Sequence, residues 1–349
     1  MGVCLLGGPL MRVTGQQPEV IALAVPFLKV LMWAAIPSTI AALLRTFVAT
    51  LGRPTIGTFI TGMAVAINAF GNWVFVFGNL GAPEMGLTGS AISSIITTVA
   101  MVAAYVIVIR TDRRLRRYRL MGRWWKAEWK RFADVLHVGL PIMGTIIAEA
   151  GMFNGAAFIM GRIGETELAA HTIALQFAAI AFQVPFGVAQ AATIRVGLAF
   201  GGNDRAAIAR AGRVAMLLGM GFMVFTANIM LFAPRLILHL YIDPDAPQNA
   251  AMVVLAVQYM AVAAAFQLFD GAQAVGASLL RGLQDTRVPM GFALFGYWVP
   301  GIGTAVGLGL YSPLAGLGVW VGLMVGLVVV ASLMLWRWKN RARLGLLPG

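Results

Sequence analysis

Charge is what this sequence of 349 residues has least of: 11% of it is Asp, Glu, Lys or Arg, against 60% hydrophobic, and the mean hydropathy is +0.83. A soluble domain carries about a quarter charged residues, so the composition excludes one and describes a chain solvated largely by lipid. Cysteine is nearly absent as well. Cys4 stands alone, and the three histidines, His137, His171 and His239, fall on different segments without ligand spacing, which argues against a zinc site or a Cys–His nucleophile. The opening stretch MGVCLLGGPLM has no basic n-region and does not read as a signal peptide; it looks like the tail of a helix. Strict alternation over segments of about ten residues, the mark of a membrane barrel, is also missing.

Long apolar runs are what the chain does have. Nine of them, roughly 21–44, 55–78, 86–110, 134–160, 168–198, 212–235, 251–280, 288–310 and 314–336, are each long enough to cross a hydrocarbon core of about 30 Å at 1.5 Å per helical residue. The expectation is an all-α integral membrane protein.

The net charge of +13 is concentrated rather than spread. Ten of the 26 basic residues lie between Arg110 and Arg131, and four more sit in RWKNRAR near the end. Threading the runs alternately gathers Arg45, Arg53, the 110–131 loop, Arg205, Arg210, Arg213, Arg281, Arg287 and the C-terminus on one side, which the positive-inside bias makes cytoplasmic. The opposite loops, QQPEV, NLGAPEMG, RIGETEL and YIDPDAPQNA, are neutral or mildly acidic. A basic tract beside membrane spans is an anchor to anionic lipid, so membrane lipid and not nucleic acid is the expected partner. Within the large loop Trp125, Trp129, Phe132 and Leu136 lie at helical spacing among Arg123, Lys126, Lys130 and Arg131, a pattern suited to an interfacial amphipathic helix.

Internal similarity divides the chain. LLRTFVATLGRP ends the first full span, and LLRGLQDTRVP stands in the same place two spans before the end. Both copies enter from one side, so the repeat is parallel, about an axis along the membrane normal. The expected domains are an incomplete N-terminal lobe over 1–110, a cytoplasmic amphipathic linker over 111–133, a C-terminal lobe over 134–338 and a cytoplasmic tail over 339–349. By the count of the repeat, about two to three helices of the first lobe would precede Met1.

Of the 13 acidic residues only Glu149 and Asp270 lie deep in spans. An acid at a helix centre costs about 2.5–3.5 kcal/mol by insertion scales, so it faces a cavity or a partner. Two carboxylates close together in low dielectric cannot both ionise cheaply, and one must hold a proton or share a cation; the alternative is a hydrogen-bonded pair that only glues helices. Gln267 and Gln273 flank Asp270, and Asn154 follows Glu149. Gln176, Gln183 and Gln190 recur every seventh residue, and Asn68 and Asn72 are i,i+4 neighbours in the first half. These polar residues either bond helix to helix or line a wet cavity. Pro37, Pro141 and Pro185 add candidate kinks within spans.

The segments GLPIMGTIIAEAGMF, ELAAHTIALQ, QVPFGVAQAATIRVGLAFG, FDGAQAVGASLLRGLQDTRVP and QQPEVIALAVPFLKVLMWAAIPSTIAALLRTFVATLGRP together resemble the multidrug and toxic compound extrusion (MATE) family, NorM-type branch. The resemblance runs over essentially the whole chain in order. It implies a twelve-helix architecture of two six-helix lobes around a central cleft, here lacking its first two to three helices. It further implies a monomer in the bacterial inner membrane, without cofactor, that exports drugs or toxic organic cations in antiport with Na⁺ or H⁺. The family's C-terminal cation site corresponds to Glu149 and Asp270. Some members add a tyrosine one turn before the aspartate, where this chain has Phe266. Asn68 and Asn72 match the polar half of an N-lobe site whose aspartate belongs to a first helix this sequence does not contain. Two other classes fit less well. A lipid-linked precursor flippase would line its cleft with several Arg or Lys to hold phosphate, and only Lys29 and Arg195 fall inside spans here. An integral membrane enzyme would need the catalytic set that is missing.

Overall fold

In lipid no water satisfies an exposed backbone amide, so every apolar run long enough to cross must bond to itself as a helix. The computed structural model describes residues 18–118, 120, 122 and 128–348, and nine helical stretches among them are long and apolar enough to span a bilayer. The first joins α1 (Pro18–Leu31) through a 3₁₀ turn (Met32–Ala34) to α2 (Ala35–Thr50). Then come α3 (Pro54–Phe75), α4 (Gly86–Thr111) and the short α5 (Arg113–Arg116). The second half runs α6 (Trp129–Ile163), α7 (Glu165–Gly201), α8 (Arg205–Phe232), α9 (Pro234–Leu238) and α10 (Ala250–Gly282). The eighth crossing is α11 (Arg287–Gly296), a π-turn (Tyr297–Ile302) and α12 (Gly303–Leu310), and the ninth is α13 (Ala315–Lys339). The all-helical expectation holds. Large apolar side chains such as Phe59, Phe158 and Phe232 are exposed on the helices' outer faces, as lipid contact requires.

Local chemistry sets several helix ends. Pro54 opens α3, where its missing N–H costs nothing. Asp204 caps α8 by accepting the N–H of Ala207 at 2.8 Å, and Asp112 caps α5 by accepting those of Arg114 and Leu115 at 2.8 and 3.3 Å. Three helices end in one and the same turn. In each, a residue with positive φ, Gly52, Asn203 or Gln284, follows the last helical turn. The next N–H, from Arg53, Asp204 or Asp285, then reaches back five residues to Val48, Ala199 or Leu280 at 2.9–3.1 Å. Two of the three turns, at Gly52 and Gln284, lie in the repeated segments, so the internal likeness is one of backbone as well as of letters.

The described chain separates into two compact units at residue 127/128. The first has a small core of Leu44, Val48, Ile60, Tyr105, Ile109 and Leu115. The second has a large one in which α10 is the most enclosed helix, buried from Ala263 to Gly282 at nearly every position. Small residues permit the close approach. A Cβ on Gly326 of α13 would stand 3.0 Å from the Cα of Gly301 in the π-turn, so a side chain there would have to push the two backbones apart.

Two sequence expectations differ in detail. Trp129, Phe132 and Leu136 are exposed and belong to the opening turns of α6 itself, which starts five residues earlier than expected. At 35 residues α6 is about 52 Å long and outreaches the hydrocarbon core, so its first turns stand where headgroups and aromatic belts belong. Arg123, Trp125 and Lys126 of the same pattern lie outside the described residues. The helices α6 and α7 run on through Pro141 and Pro185, whereas the irregular turns occur just before Pro37 and at Pro300.

Candidate functional site

The second unit holds both deep carboxylates, and it gives them different surroundings. Asp270, on the enclosed face of α10, is 6% exposed, and its Oδ1 has no hydrogen-bond partner. Gln267, three residues earlier on the same face, is fully buried; its amide nitrogen reaches only the carbonyl of Met223 at 3.5 Å, and its Oε1 is unpartnered. Glu149 on α6 is half-buried and accepts a hydrogen bond on Oε1 from Nε2 of Gln273 at 2.9 Å. Glu149 is close enough for its charge to act on Asp270.

Glu149 also opens onto a cavity of about 360 Å³ between α6, α7 and α10. Phe153, Phe182, Phe186 and Gln190 form part of its wall, with Gln273 beside Glu149 and Arg281 toward the end of α10. Asp270 does not line it. One carboxylate is therefore presented to whatever enters the cavity, while the other is held behind it among unpartnered oxygens.

The structure separates the remaining expected site residues. Phe266 is buried and packs edge-to-face on Phe153 and Trp320, with ring centroids 5.9 and 5.6 Å away; it does not line the cavity and offers no ligand atom. Asn154 is exposed and donates to the carbonyl of Ala150 on its own helix at 2.7 Å, so it does not join Glu149. Gln176 and Gln183 are exposed, and of the seventh-residue series only Gln190 reaches the cavity. In the first unit Asn68 and Asn72 are bonded to each other, Nδ2 of Asn72 donating to Oδ1 of Asn68 at 3.0 Å. They lean on Ser93 and Thr97 of α4, with the Ser93 hydroxyl donating to the carbonyl of Asn68 at 3.0 Å. That is a polar contact between helices within the first unit.

Sequence reasoning missed three features. Tyr297, at the start of the π-turn, is fully buried with an unpartnered hydroxyl, and it lies within reach of the charges of both Glu149 and Asp270. A π-turn is rare and marks functional positions; Pro300 inside an apolar run, followed by Gly301, was the available signal. Arg281, read only as a flank of the span, shares the cavity and the field of Glu149. His171, Tyr259 and Trp320 form a second buried group in which no side-chain nitrogen or oxygen has a partner, with the His171 and Trp320 rings 5.4 Å apart.

Long apolar helices built on a parallel repeat, with two carboxylates held inside one unit, define a polytopic helical transporter. The MatE profile matches residues 1–74 and 141–306, and the chain belongs to that family, multidrug and toxic compound extrusion. It is 44% identical over 338 residues to a probable multidrug resistance protein NorM of Mesorhizobium japonicum, covering 97% of this chain and 72% of that one. To the multidrug resistance protein NorM of Burkholderia vietnamiensis it is 35% identical, covering 95% and 71%. In fold it is similar to a eukaryotic MATE transporter, with a TM-score of 0.86, 19% identity and coverage of 98% and 75%. A Vibrio cholerae MATE transporter variant gives 0.82, 15%, 98% and 74%. At those identities the structural likeness is one of fold alone.

Proposed function

We propose that this protein exports cationic or amphipathic drugs from the cytoplasm of a bacterium, across its inner membrane, in antiport with Na⁺ or H⁺, and that Glu149 and Asp270 couple the two movements. The observation that carries this reading is the unequal setting of the two carboxylates. Glu149 faces a cavity whose size suits a small organic molecule and whose Phe153, Phe182 and Phe186 offer aromatic faces to a cation. Asp270, Gln267 and Tyr297 each carry a buried oxygen without a partner, and oxygen donors are the chemistry that suits a hard cation or a proton.

An antiporter needs its two ligands to exclude one another from one conformation, because a ligand shifts an equilibrium only through differential affinity. A carboxylate pair emptied of its ion is negative and draws an organic cation to Glu149. Loaded with one Na⁺ or one proton, it has one negative charge fewer, and the attraction is weakened. Arg281 repels a cation at its own end of the cavity, so the positive group of a drug is oriented toward Glu149. Gln273 holds that carboxylate in one rotamer. The names of the NorM relatives, multidrug resistance proteins, support the substrate class. In this reading residues 1–110 belong to the N-terminal lobe, 111–133 to the linker, 134–338 to the C-terminal lobe and 339–349 to the tail, in a monomer that needs no cofactor and binds no nucleic acid.

The test is exchange of drug against an imposed Na⁺ or pH gradient in vesicles. Asp270→Asn imitates the loaded state permanently and is expected to abolish exchange while the protein still inserts and folds. Glu149→Gln should do the same, and the double variant should be little worse. Near wild-type exchange by Asp270→Asn would make the residue structural and sink the proposal.

A further inference from the structure

A groove of about 840 Å³ runs between the second half of α7 and the first half of α8, away from the carboxylate cavity. Small side chains, Ala191, Ala199, Ala207 and Ala211 among them, keep the two helices from filling it. Its only charged lining groups are Arg195 on the α7 wall, Arg210 on the α8 wall and Asp204 at the turn. Asp204 is occupied as the cap of α8. Among the described residues neither arginine has an ion-pair partner, and both are exposed.

The depths of the two arginines match. Helices α7 and α8 are consecutive and joined by a tight turn, Arg195 lying six residues before the end of α7 and Arg210 five after the start of α8. Both therefore stand about 8–9 Å in from the turn. Helix α7, with 37 residues, is about 55 Å long and projects about a dozen ångströms beyond each side of a hydrocarbon core of about 30 Å. The guanidiniums thus fall at the boundary where lipid phosphates lie. Farther from the turn the walls are Val188, Val214 and Leu218, apolar and directed toward the membrane interior. Two cations at phosphate depth above an apolar trough repel an organic cation and complement an anion that carries an acyl chain.

We propose that this groove is a binding site for an anionic phospholipid of the cytoplasmic leaflet, its phosphate between Arg195 and Arg210 and an acyl chain along Val188, Val214 and Leu218. The choice of leaflet rests on the topology argued from the loop charges; the lipid contact itself does not depend on it, nor on what the protein transports.

Native mass spectrometry of the full chain in mild detergent tests the site with phosphatidylglycerol, and with phosphatidylethanolamine of the same acyl chains. Two interfacial arginines, each adding about 1 kcal/mol toward anionic lipid, correspond to about thirtyfold, so phosphatidylglycerol should be retained about thirtyfold over phosphatidylethanolamine, and the preference should collapse in the Arg195→Gln/Arg210→Gln variant. The Arg116→Gln/Arg213→Gln variant, equal in charge but outside the groove, should keep it. Val214→Trp, which fills the trough and leaves both arginines, should also lose phosphatidylglycerol. Glycerol phosphate, which has no acyl chain, should not compete. Equal loss in the Arg116/Arg213 control, retention in both groove variants, or displacement by glycerol phosphate would each overturn the proposal, the last by reducing the site to one for bare phosphate.

Discussion

Asp285 accepts two hydrogen bonds from Arg337, on Oδ2 from Nε and on Oδ1 from Nη2 at 3.1 Å, with only 9% and 13% of the two side chains exposed. The pair ties the turn after α10 to the last turn of α13. In the first unit the same turn, two residues after Leu51 instead of Leu283, carries Arg53, which faces Asp112 at the end of α4 at 3.5 Å. The repeat has kept the ion pair and exchanged its signs. Removing one partner of a buried pair strands a charge and costs about 3–5 kcal/mol, so Arg337→Ala should lower stability by about that much. Because the first unit shows the reversed polarity at this place, Asp285→Arg with Arg337→Asp should recover much of the loss. Thermal melts of the three variants check it; a double exchange no better than the single variants would show that the site does not tolerate the reversal.

The bond from Gln273 to Glu149 positions a carboxylate, so its removal should be felt in binding before turnover. A hydrogen bond to an ionised group contributes about 1.5–3 kcal/mol. Gln273→Leu should therefore raise the KM for an organic cation about tenfold with kcat within about twofold. Gln273→Asn, too short to reach, should behave likewise. Vesicle uptake at several drug concentrations separates the two constants, and a fall in kcat alone would mean that Gln273 does something other than orient Glu149.

Tyr297 has a hydroxyl in the place where Phe266 has none to give. Tyr297→Phe deletes an unpartnered buried polar atom, a change close to neutral for stability, yet the concentration of Na⁺ or H⁺ that half-saturates transport should rise about tenfold if the hydroxyl helps hold the ion. Introducing Phe266→Tyr in that background should restore part of the loss. An unchanged ion dependence in Tyr297→Phe would remove the residue from the site.

Outside the membrane, Asp112 provides a pH test. The N–H of Arg114, then that of Leu115 and the charge of Arg53, hold its carboxyl below the ordinary aspartate range. A carboxyl depressed in the folded state stabilises it above the unfolded value, and that contribution disappears as pH falls through the folded one. The Tm gap between the natural protein and Asp112→Ala should be open at neutral pH and close on acidification below the usual carboxylate range. A gap independent of pH would contradict the assigned cause.

Moving the cations of the 110–131 loop across the membrane is unfavourable, so this loop and the C-terminus should be cytoplasmic. A cysteine at Arg117 should be shielded from an impermeant reagent in intact cells, whereas one at Asp245 should react. Reaction at Arg117 would reverse the topology, and with it the leaflet assigned to the lipid groove.

Which residues cross the membrane was legible in the letters, because a run of about twenty apolar residues has only the helix in which to satisfy its own amides. The repeat was legible too, since LGRP and LQDTRVP encode one turn, and so was the rarity of Glu149 and Asp270, since an acid in such a run is costly whatever the fold. The grouping of side chains was not. In a soluble helix polar residues mark the outer face, but here the lipid face and the protein face are both apolar, and the pattern carries no sign of which is which. Asn154, five residues from Glu149, is turned about 140° away on the helix and meets its own backbone, while Gln273, 124 residues away in sequence, supplies the bond. Tyr297 and Arg281 come from two other crossings; on that of Tyr297 the π-turn at Pro300 interrupts the regular helix and Gly301 lies close against Gly326. Helix rotation and approach are set by side chains meeting across the bundle, and those contacts exist only once the chain has folded.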